Sequence, residues 1–240
     1  MSVNSIEILR KYFSMPYGGH VFIFTNPVTL LDVQQCSFTD ILSHKNAIDD
    51  KGKAGNSLAM TIFEAISTHV DGFRGKHILD LGGLTGYFSF LAVEAGANAT
   101  MVEREESLAT VAKAIAEIKG IKVQIINSSI QDYLESSTES FYCAFMLNMF
   151  DQMIRTDEES AWKTIKQVSE RCKMLFLMLG STEQIPTAHG LVTSTPLLSA
   201  PAIQKFDKPD YEVILEKTIY RNYKILLENA NNGRQLQVYW

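Results

Sequence analysis

The residues whose types and spacing promise chemistry lie between positions 78 and 103. In Ile78-Leu79-Asp80-Leu81-Gly82-Gly83-Leu84-Thr85-Gly86-Tyr87-Phe88-Ser89 an apolar run leads straight into a glycine-rich turn. Gly82 and Gly86 remove side chains where the backbone must approach a ligand closely, and a helix starting behind the turn presents free N–H donors. Asp80 stands two residues before Gly82. A carboxylate there suits a cationic head, such as the ammonium of an amino acid, and repels a pyrophosphate. Glu103 ends the next apolar run, 23 residues after Asp80. An acidic side chain at that position accepts hydrogen bonds from both hydroxyls of a ribose. An ammonium at one end and a ribose at the other is the ligand chemistry this spacing serves.

These residues need strands and helices to hold them. Residues 77–81 read as a short buried strand, followed by the glycine turn and a helix over about 86–95 that Gly96 stops. Residues 99–103 are the next strand, then a helix runs from Ser107 to about Ile118, closed by Lys119-Gly120. Strand 123–126, a short acidic helix over 130–137, strand 142–147, a helix over about 157–171 and strand 174–179 continue the alternation. Strands alternating with helices of ten to fifteen residues specify a doubly wound, mostly parallel sheet covered on both faces. Upstream, 4–13 reads as a short helix and 18–33 as a β-hairpin turning at Asn26-Pro27. Residues 44–56 read as a polar loop, with Ser57 or Asn56 capping a helix over 57–69. Downstream, 181–210 reads as a loop, and 211–220, 223–227 and 235–240 as strands. The last two flank the turn signal Asn229–Gly233 and form a closing antiparallel hairpin. The division expected is an N-terminal extension over 1–55, able to cap the acceptor side, and a ligand-binding domain over 56–240.

Composition narrows the partners. The formal net charge of −5 and the lack of a basic cluster beyond the pairs Lys51/Lys53 and Lys119/Lys122 argue against a nucleic-acid partner. A small or locally presented substrate suits this balance better. The three cysteines, Cys36, Cys143 and Cys172, are far apart and odd in number, which reads as reduced structural thiols. No run approaches the roughly 18 apolar residues of a membrane helix, and the start lacks the apolar segment of a signal peptide. A cytoplasmic protein that uses no membrane is expected.

The stretch ILDLGGLTGYFSFLAVEAGA resembles motif I of class I S-adenosylmethionine-dependent methyltransferases, in the Asp-x-Gly-x-x-x-Gly-Tyr-Phe-Ser variant, and MVERE is similar to that family's second motif. The resemblance covers roughly residues 55–180. It implies S-adenosylmethionine as the cofactor and a seven-stranded sheet whose last strand is antiparallel. It also implies cofactor contacts from Asp80, Gly82, Gly83, Gly86, Tyr87, Glu103 and Arg104. After the third strand, IINSSIQDYL matches the adenine-binding segment, with Ser129 where the family carries an Asp and Ile130 beside the ring; Asp132 is the alternative one turn on. After the fourth strand, FYCAFMLNMFDQM resembles the fourth motif, with Asn148 in place, Tyr142 replacing an Asp, and Asp151-Gln152 replacing His-His.

Methyl transfer from a sulfonium needs donor and acceptor held in line, and a hydroxyl or amine acceptor also needs its proton removed. Asp151, directly beyond the fourth strand at the edge where such folds bind ligands, is the candidate base. The bland alternative for Asp151 is a solvated helix cap. His189, on the loop beyond the fifth strand, is the second candidate. His77 and His69 read as structural, His44 shows no partner in the sequence, and His20 flanks the Gly18-Gly19 turn. No His or carboxylate pair has metal-site spacing, so no metal is expected. Asn56 and Lys53 either close over the methionine carboxylate or belong to a linker. Aromatics at 13, 17, 22 and 24 either line an acceptor pocket or belong to the core. The expected function is methyl transfer to an oxygen or nitrogen of a small-molecule or glycan acceptor. Rival readings are a catalytically inactive, cofactor-binding partner subunit, an RNA methyltransferase, and an NAD(P)-dependent oxidoreductase. The last would want Gly-x-Gly-x-x-Gly, which this turn lacks.

Overall fold

The computed structural model describes residue 8 and residues 53–180, 210–231 and 234–240. The helix and hairpin expected over 4–33, apart from a helical Ile8, and the loop expected over 181–210, apart from a helical Asp210, lie outside these residues, as do Cys36, His20, His44 and His189. So does almost all of the extension expected over 1–55. Seven strands form one sheet, in the order 124–127, 98–103, 77–81, 141–147, 172–180, 234–239 and 223–231. The chain divides into two compact units, Met1–Tyr133 and Leu134–Trp240.

In the first unit, α1 (Lys53–His69) buries Ala59, Ile62, Phe63 and Ile66 along one helical face. Phe63 stacks on Phe73 at 5.3 Å. Helix α1 starts four residues before the expected Ser57, so the expected loop over 44–56 ends no later than Lys53. Gly55 is tolerated in the first turn, where its N–H has no intrahelical acceptor to lose. A turn through Asp71, Gly72 and Gly75, all at positive φ, leads to β1 (His77–Leu81), whose Ile78, Leu79 and Leu81 are almost fully buried. Then come α2 (Tyr87–Glu94), β2 (Asn98–Glu103), α3 (Glu106–Lys119), β3 (Gln124–Asn127) and α4 (Ile130–Ser136). β1 and β2 pair in parallel from His77↔Asn98 to Leu81↔Val102, and β2 pairs with β3 from Thr100↔Gln124 to Glu103↔Asn127. This register carries the ends of β1, β2 and β3 to one edge. Phe90 of α2, Met101 of β2 and Val111, Ala112 and Ile115 of α3 form a core cluster, with Ile8 packed against it. Gly120 closes α3 in the left-handed conformation expected of a C-terminal glycine.

In the second unit, β4 (Phe141–Leu147) and β5 (Cys172–Gly180) pair in parallel from Phe141↔Cys172 to Leu147↔Met178. Two helices separate them, α5 (Phe150–Thr156) and α6 (Glu158–Arg171). Sequence reading expected only the second. Asp157 ends α5 and caps α6, its carboxylate accepting the Ser160 N–H at 3.1 Å. Segment 211–220, expected as a strand, is instead α7 (Asp210–Lys217) with a short exit. It buries Val213 and Ile214, with Thr218 buried just beyond its end and Glu212 and Glu216 exposed. That is the period of a helix, and the β-branched pair Val213-Ile214 obscured it. β6 (Tyr223–Asn231) and β7 (Arg234–Tyr239) close the sheet, β7 antiparallel to both β5 and β6. Buried Tyr220 donates its hydroxyl to the Cys172 carbonyl at 3.0 Å, beside the buried thiols of Cys143 and Cys172. Among the described residues no helix is long and apolar enough to cross a membrane.

Candidate functional site

The glycine turn between β1 and α2 continues the pairing of β1 for one step. Gly82 and Gly83 both donate to the Val102 carbonyl, at 2.9 and 3.4 Å, and the turn closes through Gly86 N–H to the Gly83 carbonyl at 2.8 Å. Gly82, Leu84 and Gly86 take positive φ of 75°, 52° and 91°. Two of these positions suit glycine, whereas a leucine there is strained by on the order of 1–3 kcal/mol. A Cβ on Gly83 would lie 2.6 Å from Met101 Cγ and 3.0 Å from Asp80 Oδ2, and one on Gly86 would lie 2.5 Å from the Phe90 ring. The turn therefore sits directly on β1 and β2.

Glu103 holds it there. Its Oε2 accepts the Leu84 N–H at 3.0 Å and its Oε1 the Glu105 N–H at 2.9 Å. Burial pushes its carboxyl above the usual carboxylate range, opposed by those two amide bonds. Each carboxylate oxygen keeps a further lone pair, so the group can still accept from a diol. Asn127 ties the end of β3 to the same corner, its Nδ2 donating to the carbonyls of Glu103 at 2.9 Å and Arg104 at 3.0 Å.

Asp80 is 5 % exposed, and its Oδ2 accepts the Ser89 hydroxyl of α2 at 2.6 Å. Burial raises its carboxyl to about 6, the Ser89 hydroxyl and amide oppose the rise, and the nearby Glu103 charge adds to it. Thr85, also buried, has an Oγ1 that meets no hydrogen-bond partner among the described residues. Asp80, the glycines and Glu103 thus come together as expected. Leu84, Ser89 and Asn127 join them, although sequence reading gave them no role. Ser89 and Asn127 were within reach of it, being polar residues beside the motif and at a strand end, whereas nothing marked the left-handed Leu84.

The remaining candidates are more dispersed. Tyr87 opens α2, half-buried against Phe88 at 5.4 Å, with burial raising its phenol. The Arg104 side chain is 73 % exposed and pairs with Glu105 at 3.4 Å, so it lies in solvent. Ser129 caps α4, donating to Asp132 Oδ2 at 2.7 Å and accepting the Asp132 N–H at 3.0 Å. Its donor is spent on the cap, but one lone pair remains for an adenine amino group. Ile130 is buried at the first turn of α4. In the second unit, Asn148 leaves β4 at φ 63°, a conformation asparagine tolerates. Asp151, in the first turn of α5, is only 2 % exposed, which excludes the solvated cap as its role. His77 hydrogen-bonds Thr100 Oγ1 at 3.0 Å inside the sheet. Among the described residues no group of three or more His, Cys, Asp or Glu side chains is arranged to hold a metal.

A mostly parallel α/β sheet with a glycine turn and two buried carboxylates at its first strand ends defines a class of proteins that bind ligands at strand termini. Solved structures narrow the class. The chain superimposes on magnesium protoporphyrin IX methyltransferase from Synechocystis PCC 6803, solved with bound S-adenosylmethionine, with a TM-score of 0.55 and 12% identity over 99% of this chain and 98% of that one. The methyltransferase domain of bacterial CtHen1 matches with a TM-score of 0.57 and 16% identity, over 76% of this chain and 95% of that one. WbdD, a bifunctional kinase-methyltransferase, matches with a TM-score of 0.56 and 16% identity over 76% of this chain, which spans 39% of the length of WbdD. No family model matches the sequence, and no curated protein matches it significantly. The fold is that of the class I S-adenosylmethionine-dependent methyltransferases.

Proposed function

We propose that the protein binds S-adenosylmethionine at the β1 and β2 ends and transfers its methyl group to an oxygen or nitrogen of a small-molecule or glycan acceptor. The observation that carries this reading is the joining of Asp80, the Gly82–Gly86 turn and Glu103 at one corner of the sheet. Asp80 supplies negative charge for the methionine ammonium, and Glu103 supplies acceptors for the ribose hydroxyls. Ser129 and Ile130 at the start of α4 offer an acceptor and an apolar surface to adenine, and Asn148 at the end of β4 is a further candidate contact. The bound cofactor brings a methyl group already activated by its sulfonium. The chain's own residues then have to orient it, exclude water and take the acceptor's proton, for which Asp151 and His189 are the candidates.

Of the three structural neighbours, one is named for its acceptor and the other two only as methyltransferases, so together they support the donor more than any one acceptor. The net charge of −5 favours a small acceptor over RNA. Thermal-shift measurements with S-adenosylhomocysteine and with NAD test the donor, and stabilisation by NAD alone would reject it. A tritium-transfer screen against cell extracts then finds the acceptor. A second reading, a cofactor-binding subunit without activity of its own, is favoured by one observation. The Asp151 carboxylate, 2 % exposed, presents almost no surface to an acceptor. Asp151→Ala that keeps full methyl transfer would remove Asp151 as the base, and a wild-type chain that binds donor but labels nothing would favour the partner subunit.

A further inference from the structure

We propose that Ser89 is a positioning residue of the donor site, which holds the Asp80 carboxylate ionised and in place so that donor binding switches with pH through the Asp80–Ser89 pair. This rests on the reading that Asp80 meets a ligand ammonium. Helix α2 begins at Tyr87, and its cap residue Gly86 has no side chain to satisfy the first turn. Ser89, the third helical residue, is fully buried, and its hydroxyl donates to Asp80 Oδ2 at 2.6 Å. Its backbone N–H bonds the same carboxylate. An acid on β1 therefore does for α2 what its own cap cannot, and the helix N-terminus favours that acid in its charged form. The oxygen–oxygen distance is that of a hydroxyl bonded to an ionised carboxylate. Two of the four lone-pair sites of the carboxylate are taken by Ser89, which fixes its plane and leaves the others for a cation.

The groups around Asp80 leave few other means of controlling its charge. Among the described residues Glu103, from β2, is the one charged group that reaches it, and it opposes ionisation. Gly83 and Met101 approach from the turn and from β2 and do not titrate. The titratable groups of α2, Tyr87 and Glu94, and His77 at the far end of β1 do not contribute to its shift. Among the described residues Ser89 alone opposes both burial and Glu103. Without its hydroxyl the buried acid takes up a proton at higher pH and loses its attraction for an ammonium.

The test is calorimetric titration with S-adenosylhomocysteine, which keeps the ammonium and the ribose, from pH 5.5 to 9 for wild type, Ser89→Ala and the near-isosteric Ser89→Cys. The quantity read is the ratio of variant to wild-type Kd at each pH, which cancels titration of the ligand. Wild-type affinity should fall as pH drops through about 6. For Ser89→Ala, with about one pH unit of displacement, the ratio should be about eightfold at pH 5.5, about twofold at pH 7, and return to one at pH 9. Ser89→Cys, a weaker donor, should fall between. A ratio constant over the whole range would reduce Ser89 to packing and overturn the proposal. Urea midpoints of the ligand-free proteins give an independent measure: Ser89→Ala should lose more stability at pH 8 than at pH 5, and equal losses would also overturn it. If wild type binds S-adenosylhomocysteine at no pH, the donor reading fails, and the urea comparison still decides the pair.

Discussion

At the scale of single residues, the corner of the sheet trades stability for chemistry. Asp80 is buried with its carboxyl raised to about 6 from 3.8. The folded state therefore binds a proton that the unfolded chain has released between those values, and stability falls as pH rises from about 4 to 6. Above 6 the loss is complete, on the order of 2–3 kcal/mol. Asp80→Asn keeps an acceptor for Ser89 without the charge. It should be more stable than wild type at pH 8, equal to it near pH 4, and weaker in binding S-adenosylhomocysteine. Parallel urea curves at the two pH values check this, and a gap that fails to close in acid would contradict it. Gly86 is constrained differently, by φ 91° and by the Phe90 ring 2.5 Å from any added Cβ. Gly86→Ala should cost on the order of 1–3 kcal/mol in urea unfolding, before any ligand is considered. The sequence showed Asp80, Gly86 and Glu103 because their roles are tied to residue type. It did not show the Ser89 and Leu84 contacts, because those depend on how the turn folds back on β1 and β2.

At the scale of elements, the strands from β1 to β5 were legible because strands flanked by helices become continuous apolar runs, as in Ile78–Leu81 and Phe141–Leu147. Errors gathered where burial is one-sided. In α7 the β-branched pair hid a helical period, and α5 was missed because Asp157 was read as the start of a single helix rather than the joint of two. The exit of α1 was also invisible, since it depends on a lysine acting through its ammonium. Lys76 Nζ donates to the carbonyls of Val70 and, at 2.7 Å, Gly72, beyond the last turn of α1. Cations at a helix C-terminus stabilise it by supplying donors that the helix lacks. Lys76→Met keeps the aliphatic stem and removes the donors. It should lower stability by about 1 kcal/mol and speed amide exchange at residues 66–72, leaving the β2–β3 pairing protected. Unchanged exchange around Val70 would show that the turn, with Gly72 and Gly75, holds without it.

At the scale of the whole molecule, the sheet ends on β6, and among the described residues no strand lies beyond it. A nine-residue strand with an unpaired edge invites pairing with another copy of the chain. β6 departs from regular pairing twice, between Ile225 and Leu227 and again between Leu227 and Asn231, so that Leu226 has no place in the ladder with β7. Such bulges twist an edge out of the geometry a second strand needs, and exposed Lys224 adds charge to it. The alternation of polar and apolar residues in the tail could not reveal this, because a bulge is a mismatch between two strands and neither strand shows it alone. If the first irregularity protects the edge, deleting Leu226 makes the pairing with β7 continuous from Tyr223 through Leu227, leaving the second irregularity before Asn231, and straightens that part of the strand. The deleted chain, and more so the same chain carrying Lys224→Val, should form concentration-dependent higher species in light scattering at concentrations where wild type stays uniform. Thermal unfolding separates this from simple damage: a deletion that lowers the midpoint steeply while scattering stays low would mean that Leu226 serves packing, and the edge is protected by something else.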